Sequence, residues 1–201
     1  MSNTAFVIGN GISRKNIKLK HLKKLGTTYG CNALYRDFTP DFLVSVDTKM
    51  IKEIIDSGYN EKNQVWVNIN SFTKKLKKIN FLKPNLGWSS GPSALFLASK
   101  NNHEKIYILG FDYTGIGIQK KFVNNVYTGT KNYKDPENKA IYYGNWVKQT
   151  ATIIRDNPEI KYYRVVENNS SFVPDELKLF PNLLNITVDE FKNSLNINKT
   201  V

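Results

Sequence analysis

The chain has few of the residues that form disulfides or metal sites. Its 201 residues include one cysteine, Cys31, and two histidines, His21 and His103. A lone cysteine excludes an intramolecular disulfide and a cysteine-based zinc site, and two histidines are too few for a histidine-rich metal site. We therefore expect a protein that requires no cofactor.

Long hydrophobic runs are also missing. No stretch approaches the roughly 20 apolar residues of a membrane-spanning helix, and the N-terminus lacks the basic and then apolar layout of a secretory signal. The sequence therefore predicts a cytoplasmic protein with no membrane span.

With 201 residues, of which 40% are hydrophobic, the chain is long enough for one hydrophobic core and short for two. We predict a single domain over residues 1–201, and a homo-oligomer stays open.

Acidic residues are absent from the first 36 positions, which hold seven lysines or arginines. The basic residues are densest at 14–24, a second cluster lies at 74–78, and the net charge is +12. Such a field attracts polyanions, so residues 14–24 are a candidate nucleic-acid-binding segment. Alternatively, Ile17 and Leu22 alternate with the lysines as on a short amphipathic element with a solvated outer face.

Short runs of strand-forming residues alternate with helical patterns, which is the layout of an α/β protein. We predict a Rossmann-like domain with a mostly parallel central sheet flanked by helices. Residues 113–139, after the fifth predicted strand, lack periodicity and are predicted to form a lid-like loop. The helical patterns lie at 48–58 with Asp47 as N-cap, from Gly91 onward, at 138–155 and after Thr187. The strand-forming runs lie at 5–8, 27–31, 42–46, 65–69, 105–109 and 161–166.

Small polar residues follow nearly every predicted strand. In an open parallel sheet, ligands bind beyond the carboxyl ends of the strands, where the strand order reverses. Glycines there can bring backbone N–H groups close to a phosphate, asparagine amides suit a ribose or a pyrimidine edge, and serines at a helix start suit an anion. The pattern predicts a nucleotide site that contains Gly9, Asn10, Gly11, Asn32, Asp47, Ser89, Ser90, Gly91 and Asp112.

The same motifs resemble, in order and spacing, those of the bacterial lipooligosaccharide sialyltransferases. The resemblance rests on the Ile8 to Ser13 opening, on Cys31-Asn32, on the Ser89-Ser90-Gly91 helix start and on residues 106–113. The chain is also similar in outline to motility-associated flagellin glycosyltransferases and to an archaeal hydroxymethylpterin pyrophosphokinase, which share the Gly-Asn-Gly-x-Ser opening. The resemblance to the sialyltransferases covers residues 4–165.

The resemblance implies a glycosyltransferase that takes a sugar from a CMP-activated donor and transfers it to an acceptor. Asn10 and Asn32 would then bind the cytidine or its ribose, and Ser90 and Gly91 would contact the CMP portion. The loop after Asp112 would close over the donor. Ser13 belongs to the matching opening, and the tyrosines implied to bind the nucleotide are Tyr113, Tyr127 and Tyr143.

The chain departs from this family at the general base. The family has a histidine in a Tyr-x-Gly-His pattern, whereas this chain has Asn145, and an amide cannot accept the acceptor's proton. We therefore regard Asp47 and Asp112 as the candidate bases, with Asp135 and Glu137 in the loop as further candidates.

Three other functions remain open on the sequence alone. Asn145 is compatible with a non-catalytic nucleotide-binding module. Alternatively, Asp47 and Asp112 could bind Mg²⁺ beside a nucleotide phosphate in a pyrophosphokinase-like enzyme. The third alternative is a nucleic-acid-binding protein that uses residues 14–24.

Overall fold

All strands of the fold lie parallel in one sheet. A computed structural model describes residues 3–196, and within them the sheet has eight strands in the order β5-β4-β3-β2-β1-β6-β7-β8. The strands and α-helices, in chain order, are β1 Thr4–Ile8, α1 Leu19–Leu22, β2 Thr27–Cys31, β3 Phe42–Val44, α2 Thr48–Asp56, β4 Val65–Val67, β5 Asn80–Phe81, α3 Ser90–Ser99, β6 Lys105–Leu109, α4 Gly144–Arg155, β7 Lys161–Val166, β8 Leu183–Thr187 and α5 Val188–Ser194.

The strand order reverses beside β1. The chain moves outward from β1 to β5 on one side, and β6 then returns to pair with the other side of β1 before β7 and β8 continue outward. Reversal opens a crevice at the carboxyl ends of β1 and β6 because the connections leave toward opposite sides. The predicted Rossmann-like α/β fold is confirmed.

Two hydrophobic cores cover the two faces of the sheet. Successive side chains of a strand point to opposite faces, so Ala5 and Val7 of β1 pack in one core and Phe6 and Ile8 in the other. Helices α3 and α4 cover the first face, while α1, α2 and α5 cover the second. A sheet buried on both faces explains why β1 is apolar from Ala5 to Ile8.

The six predicted strands are all present, but the structure adds two. β5 has only two residues, too few for a visible alternation, and β8 is an edge strand whose Leu184 is 55% exposed. The loop at 113–139 therefore follows the sixth strand and not the fifth. It contains one short 3-10 segment, Ile118–Lys120, and otherwise lacks helix and strand. Its role as a lid stays a prediction.

The predicted helix at 138–155 is wrong in its first part, because α4 begins at Gly144. Residues 138–140 instead pair with residues 121–123. The Ala140 N–H donates to the Lys121 carbonyl at 2.7 Å, and the Val123 N–H donates to the Asn138 carbonyl at 3.1 Å. These pairings satisfy the backbone groups that a longer helix would have used.

The predicted N-caps of α2 and α5 are confirmed, whereas α2 ends at Asp56, two residues before the predicted end at residue 58. The Asp47 carboxylate accepts a hydrogen bond from the Lys49 N–H at 2.9 Å and caps α2, and Thr187 and Glu190 form a capping box at α5. Pro92 lies in the first turn of α3. Among residues 3–196, no helix has the length and hydropathy needed to cross a membrane.

Helix α3 depends on its buried leucines for attachment to the sheet. Leu95 has no exposed surface, so Leu95→Ala should lower the free energy of unfolding by about 2–5 kcal/mol. Leu179→Ala is the matched control because Leu179 is 80% exposed, and its effect should stay within about 0.5 kcal/mol. Urea denaturation measures both, and equal losses in the two variants would contradict this packing.

Candidate functional site

A cavity of about 260 Å³ opens at the strand-order reversal. It lies where the turns after β1 and β6 meet the start of α3, and part of the 113–139 loop and the first turn of α4 close its other side. The structure brings most of the predicted site residues together here: Gly9, Asn10, Gly11, Asn32, Asp47, Ser89, Ser90, Gly91, Asp112, Tyr113 and Tyr143 all line it.

Three predicted site residues lie outside the cavity lining. Asn145 is exposed on the first turn of α4, and Ser13 lies in a neighbouring cavity. Tyr127 belongs to the 113–139 loop and is buried, with its hydroxyl bound to Arg14. Conversely, Asn124, Asn125 and Trp146 line the cavity but are not among the site residues predicted from the sequence. Trp146 follows the Tyr-x-Gly-Asn stretch directly, so that stretch was a usable signal. The two asparagines lie in an aperiodic loop that offers none.

The Gly9–Gly11 turn is packed against the turn that follows β6. The Gly9 N–H donates to the Leu109 carbonyl at 2.8 Å and the Gly11 N–H to the Gly110 carbonyl at 2.9 Å. The next two N–H groups donate to side chains, that of Ile12 to Asn124 Oδ1 at 2.8 Å and that of Ser13 to Asp112 Oδ2 at 3.1 Å. These four N–H groups are thus committed to the protein and not to a phosphate.

Glycine is required in this turn because the two turns approach each other closely. A Cβ on Gly9 would lie 2.7 Å from the Gly110 carbonyl oxygen, and a Cβ on Gly11 would lie 2.5 Å from Asp112 Oδ2. Real Cβ atoms do not tolerate such distances. The glycines of the N-terminal motif therefore serve the junction between β1 and β6.

Two consecutive unused N–H groups are found at the start of α3. The N–H groups of Ser90 and Gly91 have no acceptor in the described part of the chain, and Pro92 has no N–H. Nearby groups are committed: the Ser89 N–H donates to Gln149 Oε1 at 3.1 Å, and Ser90 Oγ accepts from the Val46 N–H at 3.0 Å. Ser90 and Gly91 line the cavity, so the positive end of a ten-residue helix faces it.

The two predicted asparagines differ in what they can still bind. The buried Asn10 amide donates to the Cys31 carbonyl and to the Tyr133 hydroxyl, both at 3.3 Å. Its two amide hydrogens are thus used. Asn32 has a left-handed backbone with φ of 52°, and its Oδ1 accepts from Ser45 Oγ at 3.0 Å. The Asn32 amide nitrogen has no partner among residues 3–196 and remains a free donor in the cavity lining.

Two carboxylates, those of Asp47 and Asp112, are the charged groups that the described residues contribute to the cavity lining, and no lysine or arginine of residues 3–196 lines it. Asp47 is exposed, and one oxygen caps α2. Asp112 is half-buried, and Ser13 binds it through both its N–H and its hydroxyl. Within residues 3–196, no group of three or more potential metal ligands is found.

The tyrosine hydroxyls do not all face the cavity. Tyr113 donates to Thr150 Oγ1 of α4 at 2.7 Å, and burial raises the pKa of its hydroxyl. The Tyr127 hydroxyl accepts from Arg14 Nη2 at 3.1 Å. Tyr143 lies in the cavity wall, where its ring packs edge to face against Trp146 at 5.3 Å between centroids. Of the three predicted tyrosines, Tyr143 is the one whose hydroxyl is hydrogen-bonded to the backbone, at Asn124, and not to a core side chain.

Arg14 is not part of a solvated basic face. It is 6% exposed, and its guanidinium donates to the Gly9 carbonyl at 2.7 Å and to Tyr127, so it joins the first turn to the long loop. The prediction of a basic surface at residues 14–24 is therefore wrong at Arg14, whose side chain is buried. The lysines between 15 and 24 are exposed while Ile17 and Leu22 are buried, as the amphipathic alternative predicts.

An ion pair fixes the far end of the long loop. Arg36 and Glu53 approach to 2.6 Å, and both are largely buried. Glu53 Oε2 also accepts from Asn132 Nδ2 at 2.7 Å, while Arg36 donates to Thr130 Oγ1 at 2.8 Å. Both partners thus bind the 130–132 segment and hold it on the body of the protein.

Comparison with known proteins adds no relative. No family model, no curated protein and no solved structure matches this chain. The case for a function therefore rests on the cavity, on the chemistry of its lining and on the short motifs that form it.

The close approach of the two turns predicts unequal effects of two alanine substitutions. Gly11→Ala places a methyl group against the Asp112 carboxylate and should cost about 1–3 kcal/mol of unfolding free energy. In Gly91→Ala the nearest atom, Cζ of Phe111, lies 3.3 Å away, and alanine is favoured in a helix by about 1 kcal/mol. Urea denaturation should therefore find a clear loss for Gly11→Ala alone, and a Gly11→Ala protein as stable as wild type would contradict the geometry.

Glu53 predicts a loss of stability at acid pH. Burial alone would raise the pKa of the Glu53 carboxyl. Hydrogen bonds from Tyr35, Arg36 and Asn132 lower this pKa by more than burial raises it, so the folded-state pKa lies below the ordinary value for glutamate. The resulting stabilisation is present above the unfolded-state pKa and is lost as pH falls through the folded-state pKa. Glu53→Gln should reduce the acid-dependent part of the unfolding free energy, measured by urea denaturation across pH 3–7.

The exposed Glu61, paired with Lys78, supplies the control for this prediction. Glu61→Gln should leave the acid dependence close to that of wild type. If Glu53→Gln and Glu61→Gln behave alike, the Arg36 pair does not contribute in the way described.

Proposed function

We propose that the cavity binds the nucleotide part of a CMP-activated sugar and that the protein is a glycosyltransferase-like enzyme similar to the sialyltransferases. The support is the position and chemistry of the cavity together with the motifs that line it. One observation carries the proposal. The free N–H groups of Ser90 and Gly91 open into a cavity at the strand-order reversal, where a parallel sheet binds its ligands.

The charge of the lining favours a nucleoside monophosphate ester over a diphosphate. Its charged side chains are the carboxylates of Asp47 and Asp112, which repel additional negative charge. A CMP-sugar carries a single phosphodiester charge that two backbone N–H groups and a helix dipole can bind. A pyrophosphokinase would bring several phosphates and Mg²⁺ to the same lining, so we place that alternative second.

The free amide of Asn32 supplies a donor for the cytidine carbonyl or a ribose oxygen. Asn10 contributes indirectly, because its buried amide joins the Cys31 carbonyl to the 113–139 loop. The ring pair of Tyr143 and Trp146 offers an apolar wall on the side of the cavity formed by α4. These groups fix orientation, while the start of α3 supplies the charge interaction.

The transfer reaction requires a base, and Asn145 does not supply one. It is exposed, lies outside the cavity lining and carries an amide that does not accept a proton. Asp47 and Asp112 are the carboxylates within reach of the cavity, and Asp135 and Glu137 lie outside its lining. A non-catalytic module that binds the nucleotide in the same cavity, without the transfer step, is the alternative.

The location that we propose is the cytoplasm. The buried free thiol of Cys31 suits this reducing compartment.

The proposal is tested by isothermal titration of CMP, UMP, GDP and ATP, with and without Mg²⁺. We expect CMP to bind without Mg²⁺. Asn32→Asp keeps the oxygen that accepts from Ser45 and a residue type that tolerates φ of 52°, but it replaces the free donor with a negative charge. It should weaken CMP binding at least tenfold, which equals about 1.4 kcal/mol.

Asn145→Asp is the matched control because it makes the same chemical change outside the cavity. Its CMP affinity should remain within about twofold of wild type. Equal effects of the two substitutions, or no binding by any nucleotide, would refute the nucleotide proposal. Salt-sensitive binding of a polynucleotide that free CMP does not inhibit would instead favour the lysines between 15 and 24 as the functional surface.

A further inference from the structure

A second cavity of about 300 Å³ lies beside the first, beyond the carboxyl end of β7. The two share a wall formed by Asp112, Thr114 and Asn124. No site residue predicted from the sequence lies between 164 and 172, a range that contributes seven residues to its lining. Two adjacent cavities with a common wall are what a group-transfer reaction requires, because donor and acceptor must meet at one point.

The second cavity has a lining rich in hydroxyl and amide groups. Ser170 and Ser171 are part of this lining, and Phe172, whose ring centroid lies 4.5 Å from Lys120 Nζ, adds an apolar surface. The charged side chains of the lining balance, with two basic residues, Lys120 and Arg164, and two acidic residues, Asp112 and Glu167. Such a lining matches a hydroxyl-rich ligand, to which serine and asparagine side chains both donate and accept hydrogen bonds.

Arg164 holds the two sides of this cavity in place. It is 3% exposed, and its Nε donates to the Phe111 carbonyl at 2.8 Å while Nη2 donates to the carbonyls of Asp112 and Phe172. One guanidinium therefore binds both the shared wall and the 167–172 segment. The cavity is a built feature of the fold because a fully buried side chain braces it.

We propose that the second cavity is the acceptor subsite and takes a saccharide. This inference rests on the proposed function for the identity of the reaction. The acceptor hydroxyl oxygen forms the new bond to the anomeric carbon, the bond from that carbon to the phosphate oxygen breaks, and CMP leaves with the electron pair. The acceptor proton passes to Asp112, which is the ionisable side chain common to both cavities.

The contacts of Asp112 suit this role. Ser13 donates to its two oxygens, one through the N–H and one through the hydroxyl, which fixes the orientation of the carboxylate. A carboxylate accepts about four hydrogen bonds, so two positions remain for an acceptor hydroxyl. Asp47 lines the first cavity alone.

The test maps the binding of lactose and N-acetylneuraminic acid by amide chemical shifts on ¹⁵N-labelled protein, beside a separate titration with CMP. We expect at least one saccharide to shift the amide signals of residues 168–171, and CMP to shift those of Ser90 and Gly91. Saccharide shifts confined to the first cavity, or absent for both sugars, would overturn the acceptor subsite.

A substitution that fills the second cavity with a larger side chain provides a second test of saccharide binding. Ser170→Trp places a large side chain in the cavity at a residue whose hydroxyl has no hydrogen-bond partner in the described chain, and it should weaken saccharide binding at least tenfold while CMP affinity stays unchanged. Ser71→Trp, at an exposed serine remote in sequence from both cavities, is the matched control and should change neither. If Ser170→Trp binds saccharide as wild type does, the proposal fails.

The two proposals fail separately. If CMP shifts no signal but a saccharide shifts residues 168–171, the nucleotide proposal is refuted and the saccharide site stands. If both ligands bind, Asp112→Asn should abolish saccharide-dependent release of CMP from the CMP-sugar. Asp189→Asn, at an exposed aspartate outside the lining of both cavities, is the matched control and should retain that release. Release that persists in Asp112→Asn would overturn the role of Asp112.

Discussion

The site depends on the close packing of two turns, the one after β1 and the one after β6. Two backbone hydrogen bonds, from Gly9 to Leu109 and from Gly11 to Gly110, hold the turns together at 2.8 and 2.9 Å. The approach leaves no room for a Cβ at either glycine. Because the strand order reverses between β1 and β6, this junction lies at the base of the crevice, and both cavities take part of their walls from it.

Three arginines connect this junction and the body of the protein to the loops. Arg14 joins the first turn to the 113–139 loop, Arg164 joins the second turn to the 167–172 segment, and Arg36 binds the loop near residue 130. Arg14 and Arg164 are buried and satisfy the buried carbonyl oxygens of Gly9 and Phe111, whereas the Arg36 contact with Thr130 is exposed. Part of the large positive charge therefore stabilises the fold. The rest lies on exposed lysines, where a polyanion could bind.

Much of the sheet and the cavity could be predicted because their signals are local. The apolar run of β1, the cap at Asp47 and the serines before α3 each mark an element boundary, and parallel strands bring such boundaries to one edge. The edge strands β5 and β8 could not be predicted, since two residues or a half-exposed strand show no clear alternation. The start of α4 and the second cavity depend on long-range pairing within aperiodic loops, which leaves no periodic pattern in the sequence.

The most direct test of the account is a crystal structure of the protein with CMP bound. We predict that the phosphate oxygens lie about 2.7–3.2 Å from the backbone nitrogens of Ser90 and Gly91, with the cytidine or ribose in contact with the Asn32 amide. A phosphate bound instead at the Gly9–Gly11 turn or on the lysines between 15 and 24 would contradict the central claim. So would a cavity that stays empty at saturating CMP.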